Sequence, residues 1–175
     1  MSTHPFIGKN DYAFSVCRIE PENNIHVILD AFSKGPAMHL VIVGNWEHSE
    51  YAQNLKQKYS SVAHIHLLDP IYDQSELNEL RTHCVIYLHG HSCGGTNPSL
   101  VEAMYWGLPI AAYNVNFNRA TTEGKALYFR TSEELFSLIG SADRAALAEI
   151  GKNMREIAER RYTWARIARL YAELF

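Results

Sequence analysis

The stretch HGHSCGGTNPSLVEAMYWGLP at residues 89–109 contains the local signals that decide the fold. The residues just before it, CVIYL at 84–88, form a short apolar run rich in β-branched and aromatic side chains, which predicts a buried strand. The adjacent glycines Gly94 and Gly95 then predict a loop that can present its backbone N–H groups at angles other residues avoid.

A helix is expected after this loop, over residues 98–106. Asn97 is a favourable N-cap, Pro98 suits the first helical position, and Gly107 suits the C-terminal stop. A strand, a glycine-rich loop and a helix N-terminus in this order can hold a phosphate, because unpaired N–H groups and the helix dipole both favour an anion there.

Two side chains near the start of this helix suggest what accompanies the phosphate. Ser99 and Glu102 are three positions apart and therefore share one helix face. A carboxylate beside an anion site indicates a neutral hydrogen-bonding ligand, and sugar hydroxyls fit that description. The stretch therefore predicts a nucleotide or nucleotide-sugar site.

The rest of the chain alternates between strand and helix patterns. With 175 residues it is long enough for one domain and too short for two Rossmann-like domains. The pattern predicts an α/β fold with a Rossmann-like, doubly wound parallel sheet and helices on both faces. The predicted strands cover residues 12–17, 38–43, 64–68, 84–88, 110–113 and 126–129.

The remaining segments are assigned by composition and periodicity. Ile25, Ile28, Leu29 and Phe32 share one helix face. We expect a loose lead-in over residues 1–11, a polar loop over 114–125 and a closing helix over 161–175. In a doubly wound sheet, ligands bind beyond the carboxyl ends of the strands, where Arg18, Gly44, Pro70 and residues 89–97 should gather.

Charge and cysteine content limit the partners. A net charge of −3 gives no reason to expect nucleic acid or an anionic membrane as a partner. Cys17, Cys84 and Cys93 are odd in number and form no CxxC, which favours reduced thiols and a cytoplasmic location. A charged-then-apolar leader and an 18-residue apolar run are both absent from the sequence, so we expect neither a signal peptide nor a transmembrane segment.

The motif EAM at 102–104 with GLP at 107–109 resembles the E-A-M-x-x-G-x-P signature of glycosyltransferase family 4, which comprises retaining enzymes of the GT-B fold. The longer run GGTNPSL-x-EAM is similar to the bacterial polysaccharide rhamnosyltransferase-like branch of that family. In the family this helix carries the second glutamate of an E-x7-E pair, which binds the ribose of the donor. Glu102 takes that position, whereas Gly94 stands where the first glutamate is expected.

The resemblance also implies which residues bind the donor diphosphate and sugar. Arg18 matches the arginine of the family's G-R-L element, which holds the diphosphate, but the lysine expected five residues later is Asn23. Pro70 and Thr121 are expected to be weak contacts, and no catalytic residue is assigned. The expected donor-binding residues are Arg18, His89, His91, Gly95, Thr96, Asn97, Ser99 and Glu102.

The resemblance implies that the whole chain, residues 1–175, is the donor-binding C-terminal domain of a GT-B enzyme. Such an enzyme would transfer a sugar with retention from a nucleoside diphosphate, with dTDP-rhamnose or a UDP-hexose as donor, to a polysaccharide or glycolipid acceptor. An N-terminal acceptor domain of the same protein would be missing. The chain alone would then be inactive, and contact with the inner face of the membrane would come through the missing half.

Two alternatives remain for His89 and His91, which alternate at a predicted strand end. They can hydrogen-bond the donor in place of the missing first glutamate, or support the glycine loop. We expect no metal ion or other cofactor, because no third ligand for such a pair and no Asp-x-Asp motif are identifiable. At the level of function, the alternatives are a non-catalytic nucleotide-binding Rossmann-like module and a GT-B nucleotide-sugar epimerase.

Overall fold

The computed structural model describes residues 11–35 and 38–173. The predicted lead-in therefore lies outside the described residues except for Asp11, and so do the last two residues of the predicted closing helix.

Six parallel strands form one sheet in the order β3-β2-β1-β4-β5-β6. This arrangement confirms the predicted doubly wound parallel sheet, and its order changes direction between β1 and β4. The strands are β1 (Tyr12–Val16), β2 (His39–Val43), β3 (Ile65–Leu68), β4 (Ile86–His89), β5 (Ile110–Tyr113) and β6 (Leu127–Phe129).

Helices cover both faces of the sheet and divide the core in two. One core contains the apolar faces of α1, α2 and α6, and the other contains those of α3, α4 and α7. The helices are α1 (Ile25–Ser33), α2 (Glu50–Tyr59), α3 (Gln74–Thr82), α4 (Pro98–Tyr105), α5 (Asn116–Thr121), α6 (Ser132–Gly140), α7 (Arg144–Arg161) and α8 (Trp164–Ala172).

Local signals set the two ends of α4 as expected, and a similar cap begins α3. The side chain of Asn97 accepts a hydrogen bond from the Ser99 backbone N–H at the start of α4. Gly107 has a φ of +69°, the left-handed conformation that ends a helix and favours glycine. Asp73 caps α3 in the same way by accepting from the Glu76 backbone N–H.

Two assignments from the sequence are corrected. Residues 114–125 were expected to be loop, yet α5 forms there. Its side chains Asn118 and Thr121 are buried although they are polar, so the segment carries no apolar stripe that indicates a helix. The strand expected at 84–88 runs instead from Ile86 to His89, which places His89 inside the sheet.

Candidate functional site

The carboxyl ends of β1 and β4 lie side by side at the point where the strand order changes direction. The loops that follow these two strands are tied together by hydrogen bonds. The side-chain amide of Asn24 donates to the carbonyl oxygen of Gly90 at 2.8 Å, and the backbone N–H of Ser92 donates to that of Glu22 at 2.8 Å. This is the location at which doubly wound sheets bind ligands.

Gly90 allows the two loops to approach this closely. A Cβ atom added to Gly90 would lie 2.0 Å from the carbonyl oxygen of Asn23, far inside van der Waals contact. A glycine is therefore required between β4 and the glycine loop, a requirement that the sequence pattern did not indicate.

The glycine loop exposes the N-terminus of α4. Residues 93–96 are exposed, Gly94 has a φ of +96°, and a Cβ built on Gly95 would meet no described atom within 4 Å. The Asn97 side chain accepts from both the backbone N–H and the hydroxyl of Ser99, at 3.0 and 2.8 Å. The open loop and the helix dipole together create a place for an anion.

Thr96 and Thr121 are brought together, although they come from different segments. The hydroxyl of Thr121 donates to the carbonyl of Phe117 at 2.8 Å and lies 3.2 Å from the hydroxyl of Thr96, which therefore donates to it. Thr121 is only 1% exposed. In this structure it supports the loop, and Thr96 is the exposed member of the pair.

Arg18 extends into solvent beside the loops. Its side chain is 77% exposed, and one terminal nitrogen lies 3.5 Å from a carboxylate oxygen of Glu20. An exposed pair of this kind contributes little to stability, so the guanidinium remains available to an anionic ligand.

The two histidines have different environments. His89 is 4% exposed, burial lowers its pKa to about 3, and its Nε2 atom has no hydrogen-bond partner among the described residues. His91 is partly exposed, and its pKa is lowered mainly by burial while Glu22 opposes the shift. His89 is therefore a neutral side chain beneath the loop, and His91 is the member closer to solvent.

Glu102 is engaged by a residue that the sequence did not single out. One terminal nitrogen of Arg81, on α3, donates to Oε2 of Glu102 at 3.0 Å. Arg81 is buried, whereas the Glu102 side chain is 57% exposed. No motif links these residues, because the contact joins two helices that are adjacent only in the fold.

A cleft of about 290 Å³ opens at the carboxyl ends of β1, β2 and β3. It contains two of the predicted site residues, Arg18 and Pro70, and also Gly44. Most of its surface is apolar, which suits a flat ring better than a charged group. Other residues that line it are Val16, Cys17, Ile19, Val43, Asn45, His48, Ile71 and Tyr72.

Tyr87 connects this cleft to α4. Its hydroxyl donates to the carbonyl oxygen of Val16 at the cleft, at 3.5 Å. Burial raises the pKa of Tyr87, and its ring packs in the same apolar core as Leu100, Ala103 and Met104 of α4. Tyr87 therefore lies between the cleft residue Val16 and α4.

The three thiols lie in different surroundings, and Cys17 lines the cleft. Burial raises the pKa values of Cys17 and Cys84 to about 12, so both are protonated and unreactive. Cys93 is exposed in the glycine loop.

Metal-ligating side chains do not cluster in the part of the chain that the structure describes: no three His, Cys, Asp or Glu residues there lie close enough to hold an ion. The expectation that no metal is needed stays a prediction. Among residues 11–35 and 38–173, no helix has both the length and the apolar character needed to cross a bilayer.

The sequence matches the family of glycosyl transferases, group 1, over residues 2–126. Several solved structures share the fold. Anabaena HepE, solved in complex with UDP and glucose, has a TM-score of 0.80 and 20% identity, over 96% of this chain and 48% of its own. Sucrose-phosphate synthase from Thermosynechococcus elongatus has a TM-score of 0.80 and 21% identity, and the match covers 95% of this chain and 46% of the synthase.

A third structure corresponds to a single domain. The C-terminal domain of LpcC, a glycosyl transferase group 1 family protein from Francisella tularensis, has a TM-score of 0.69 and 16% identity, and the match covers 87% of each chain. By contrast, this chain spans about half the length of HepE and of sucrose-phosphate synthase.

Proposed function

Because the chain belongs to the family of glycosyl transferases, group 1, with the Rossmann-like domain of the GT-B fold, we propose that it is the donor-binding half of a sugar-transferring enzyme. The whole enzyme would transfer a hexose or deoxyhexose with retention from a nucleoside diphosphate to a polysaccharide or glycolipid acceptor. The observation that carries the proposal is the exposed glycine loop at the N-terminus of α4, which follows β4 at the point where the strand order changes direction and leads into the helix that carries Glu102.

The diphosphate would bind at the glycine loop. The N-terminus of α4 offers backbone N–H groups and the positive end of a helix dipole, and the hydroxyl of Thr96 lies on the same loop. Arg18 is the exposed cation beside it, and its planar guanidinium can contact two phosphate oxygens at once.

The nucleoside would occupy the apolar cleft. A base ring suits a cleft of this character, which Gly44 and Pro70 help to line, and the ribose would extend from it toward the Glu102 carboxylate. A carboxylate accepts hydrogen bonds from both ribose hydroxyls of UDP, or from the single 3′-hydroxyl of dTDP, without a metal ion. We therefore propose that no divalent cation takes part.

The transfer step would depend mainly on orientation and electrostatics. The leaving diphosphate gains negative charge as the bond to the sugar breaks, and Arg18 with the α4 dipole stabilises that charge. The acceptor must be held at reacting distance, and we propose that a separate N-terminal domain holds it. UDP-hexose and dTDP-rhamnose are the donors to test first, since the GGTNPSL run resembles rhamnosyltransferase-like proteins. The enzyme would act in the cytoplasm, where such donors occur, with any membrane contact made through the second half.

Calorimetric titration with UDP, dTDP and NAD tests the binding proposal. We expect UDP or dTDP to bind and NAD not to bind, because the first βα loop lacks the G-x-G-x-x-G pattern of dinucleotide sites. Binding of NAD alone would instead favour a non-catalytic nucleotide module.

An assay of sugar transfer tests the two-domain proposal. The chain is given a UDP-hexose or dTDP-rhamnose with a lipid-linked or oligosaccharide acceptor, first alone and then with the N-terminal half of the protein added. We expect transfer in the second mixture. Transfer by this chain alone would mean that the acceptor site lies within these 175 residues.

A further inference from the structure

Arg81 occupies an unusual position for a charged side chain. It lies near the C-terminal end of α3 and is only 3% exposed. One terminal nitrogen donates to Oε2 of Glu102 at 3.0 Å, and the other donates to the side-chain oxygen of Asn78 at 2.7 Å. Its Nε atom has no hydrogen-bond partner among the described residues.

Stability alone does not account for this buried guanidinium. Its neighbours on α3, Leu77 and Leu80, pack into an apolar core, and removing a charge from water in such surroundings is costly. The compensating carboxylate of Glu102 is itself 57% exposed, so the attraction between the pair is partly screened. An apolar side chain at position 81 would avoid both the lost hydration and the unpaired Nε.

The contact has a clear consequence for Glu102. Oε2 is held by Arg81, while Oε1 accepts no hydrogen bond from any residue in the described part of the chain. A glutamate has several rotatable bonds, and fixing one oxygen before the ligand arrives removes part of the entropy that binding would otherwise cost. The fixed carboxylate is carried by the same face of α4 as Ser99, which stands three residues earlier in the helix.

We propose that Arg81 is a positioning residue of the donor site, which orients the Glu102 carboxylate so that it accepts hydrogen bonds from the ribose hydroxyls of a nucleoside diphosphate. This inference rests on the proposed function, in which Glu102 binds ribose. Arg81 does not touch the ligand. It acts through Glu102, and its effect is therefore confined to ligands that carry ribose hydroxyls.

A double-mutant cycle with two ligands tests the proposal. Binding of UDP and of 2′,3′-dideoxyuridine diphosphate is measured by calorimetry for the unmodified chain, Arg81→Met, Glu102→Ala and the double variant. We expect Arg81→Met to weaken UDP binding by about five- to tenfold and to leave the dideoxy ligand unchanged. In the Glu102→Ala background, Arg81→Met should have no further effect.

Arg160→Met is the matched control, because Arg160 forms an exposed ion pair with Glu123 and neither residue lines the cleft. It should bind both ligands as the unmodified chain does. If Arg81→Met does not fold, Arg81→Lys is measured in its place; it keeps the charge but loses the fork geometry, and the weakening should again be confined to UDP.

The outcomes separate the two proposals. Equal loss of UDP and dideoxy binding in a folded Arg81→Met variant would mean a general structural role and would overturn the inference. UDP binding unchanged by Arg81→Met but weakened by Glu102→Ala would also overturn it, while leaving Glu102 in the site. UDP binding unchanged by Glu102→Ala would remove Glu102 from the site, and with it the part of the proposed function on which the inference rests.

Discussion

The Nδ1 atom of His91 lies 2.8 Å from the side-chain oxygen of Asn23. The amide nitrogen of Asn23 donates to the carbonyl of Arg18 at 2.7 Å, so its oxygen is the acceptor and His91 carries its hydrogen on Nδ1. Asn23 is 6% exposed. Its two hydrogen bonds join the loop that contains Arg18 to the loop that follows β4. The family that the sequence resembles has a phosphate-binding lysine at this position. In this chain the position is occupied by Asn23, whose side-chain amide connects the two loops.

Replacing Glu102 with alanine should weaken the binding of nucleoside diphosphates. Loss of a hydrogen bond to a charged acceptor costs about 1.5–3 kcal/mol, or roughly ten- to a hundredfold in affinity. Calorimetry with UDP and dTDP measures the effect, and Glu156→Ala, at an exposed position on α7, is the control. An unchanged dissociation constant in Glu102→Ala would remove this residue from the site.

Replacing Gly90 with alanine should strongly destabilise the fold. The added methyl group would lie 2.0 Å from the Asn23 carbonyl oxygen, and overpacking against backbone costs about 3 kcal/mol or more. Urea denaturation gives the free energy of unfolding. Gly95→Ala is the matched control, since its methyl group would meet no described atom within 4 Å and should change stability by less than about 0.5 kcal/mol.

His89 should make the fold sensitive to acid. Its pKa falls from 6.5 to about 3 on burial, so the folded chain binds fewer protons than the unfolded chain below pH 6.5. The contribution of neutral His89 to stability is complete above pH 6.5 and declines as the pH falls toward 3. The free energy of unfolding should fall by about 2 kcal/mol between pH 7 and pH 5.

Urea denaturation at several pH values checks this expectation. His89→Gln should have a shallower decline, while His48→Gln, at an exposed position, should follow the unmodified chain. If His89→Gln loses as much stability between pH 7 and pH 5 as the unmodified chain does, His89 is not the titrating group.

Binding of UDP should not depend on a divalent cation. The sequence has no Asp-x-Asp motif, and Arg18 is an exposed cation on a neighbouring loop. The dissociation constant in EDTA and in Mg²⁺ should agree within about twofold, whereas Arg18→Ala should weaken binding in both. Binding abolished by EDTA and restored by Mg²⁺ would contradict this description of the site.

The sequence by itself determined the features that depend on neighbouring residues. The Asn97 cap, Pro98 at the first helical position and Gly107 at the helix end are local signals, and each is found where it was expected. The alternation of strands and helices was enough to predict the parallel sheet, because parallel strands require a crossover between them. The gathering of Arg18, Gly44 and Pro70 at one edge followed from the same rule.

Only the tertiary structure decided the contacts between segments that are distant in the chain. Arg81 and Glu102 meet because α3 and α4 contribute to the same apolar core, and no spacing in the sequence encodes that contact. The short helix α5 is polar and is stabilised by Asn118, whose amide donates to the carbonyl oxygens of His91 and Tyr113. Periodicity reports which residues face an apolar core, whereas a buried polar side chain is defined by its hydrogen-bond partners, and these exist only in the folded chain.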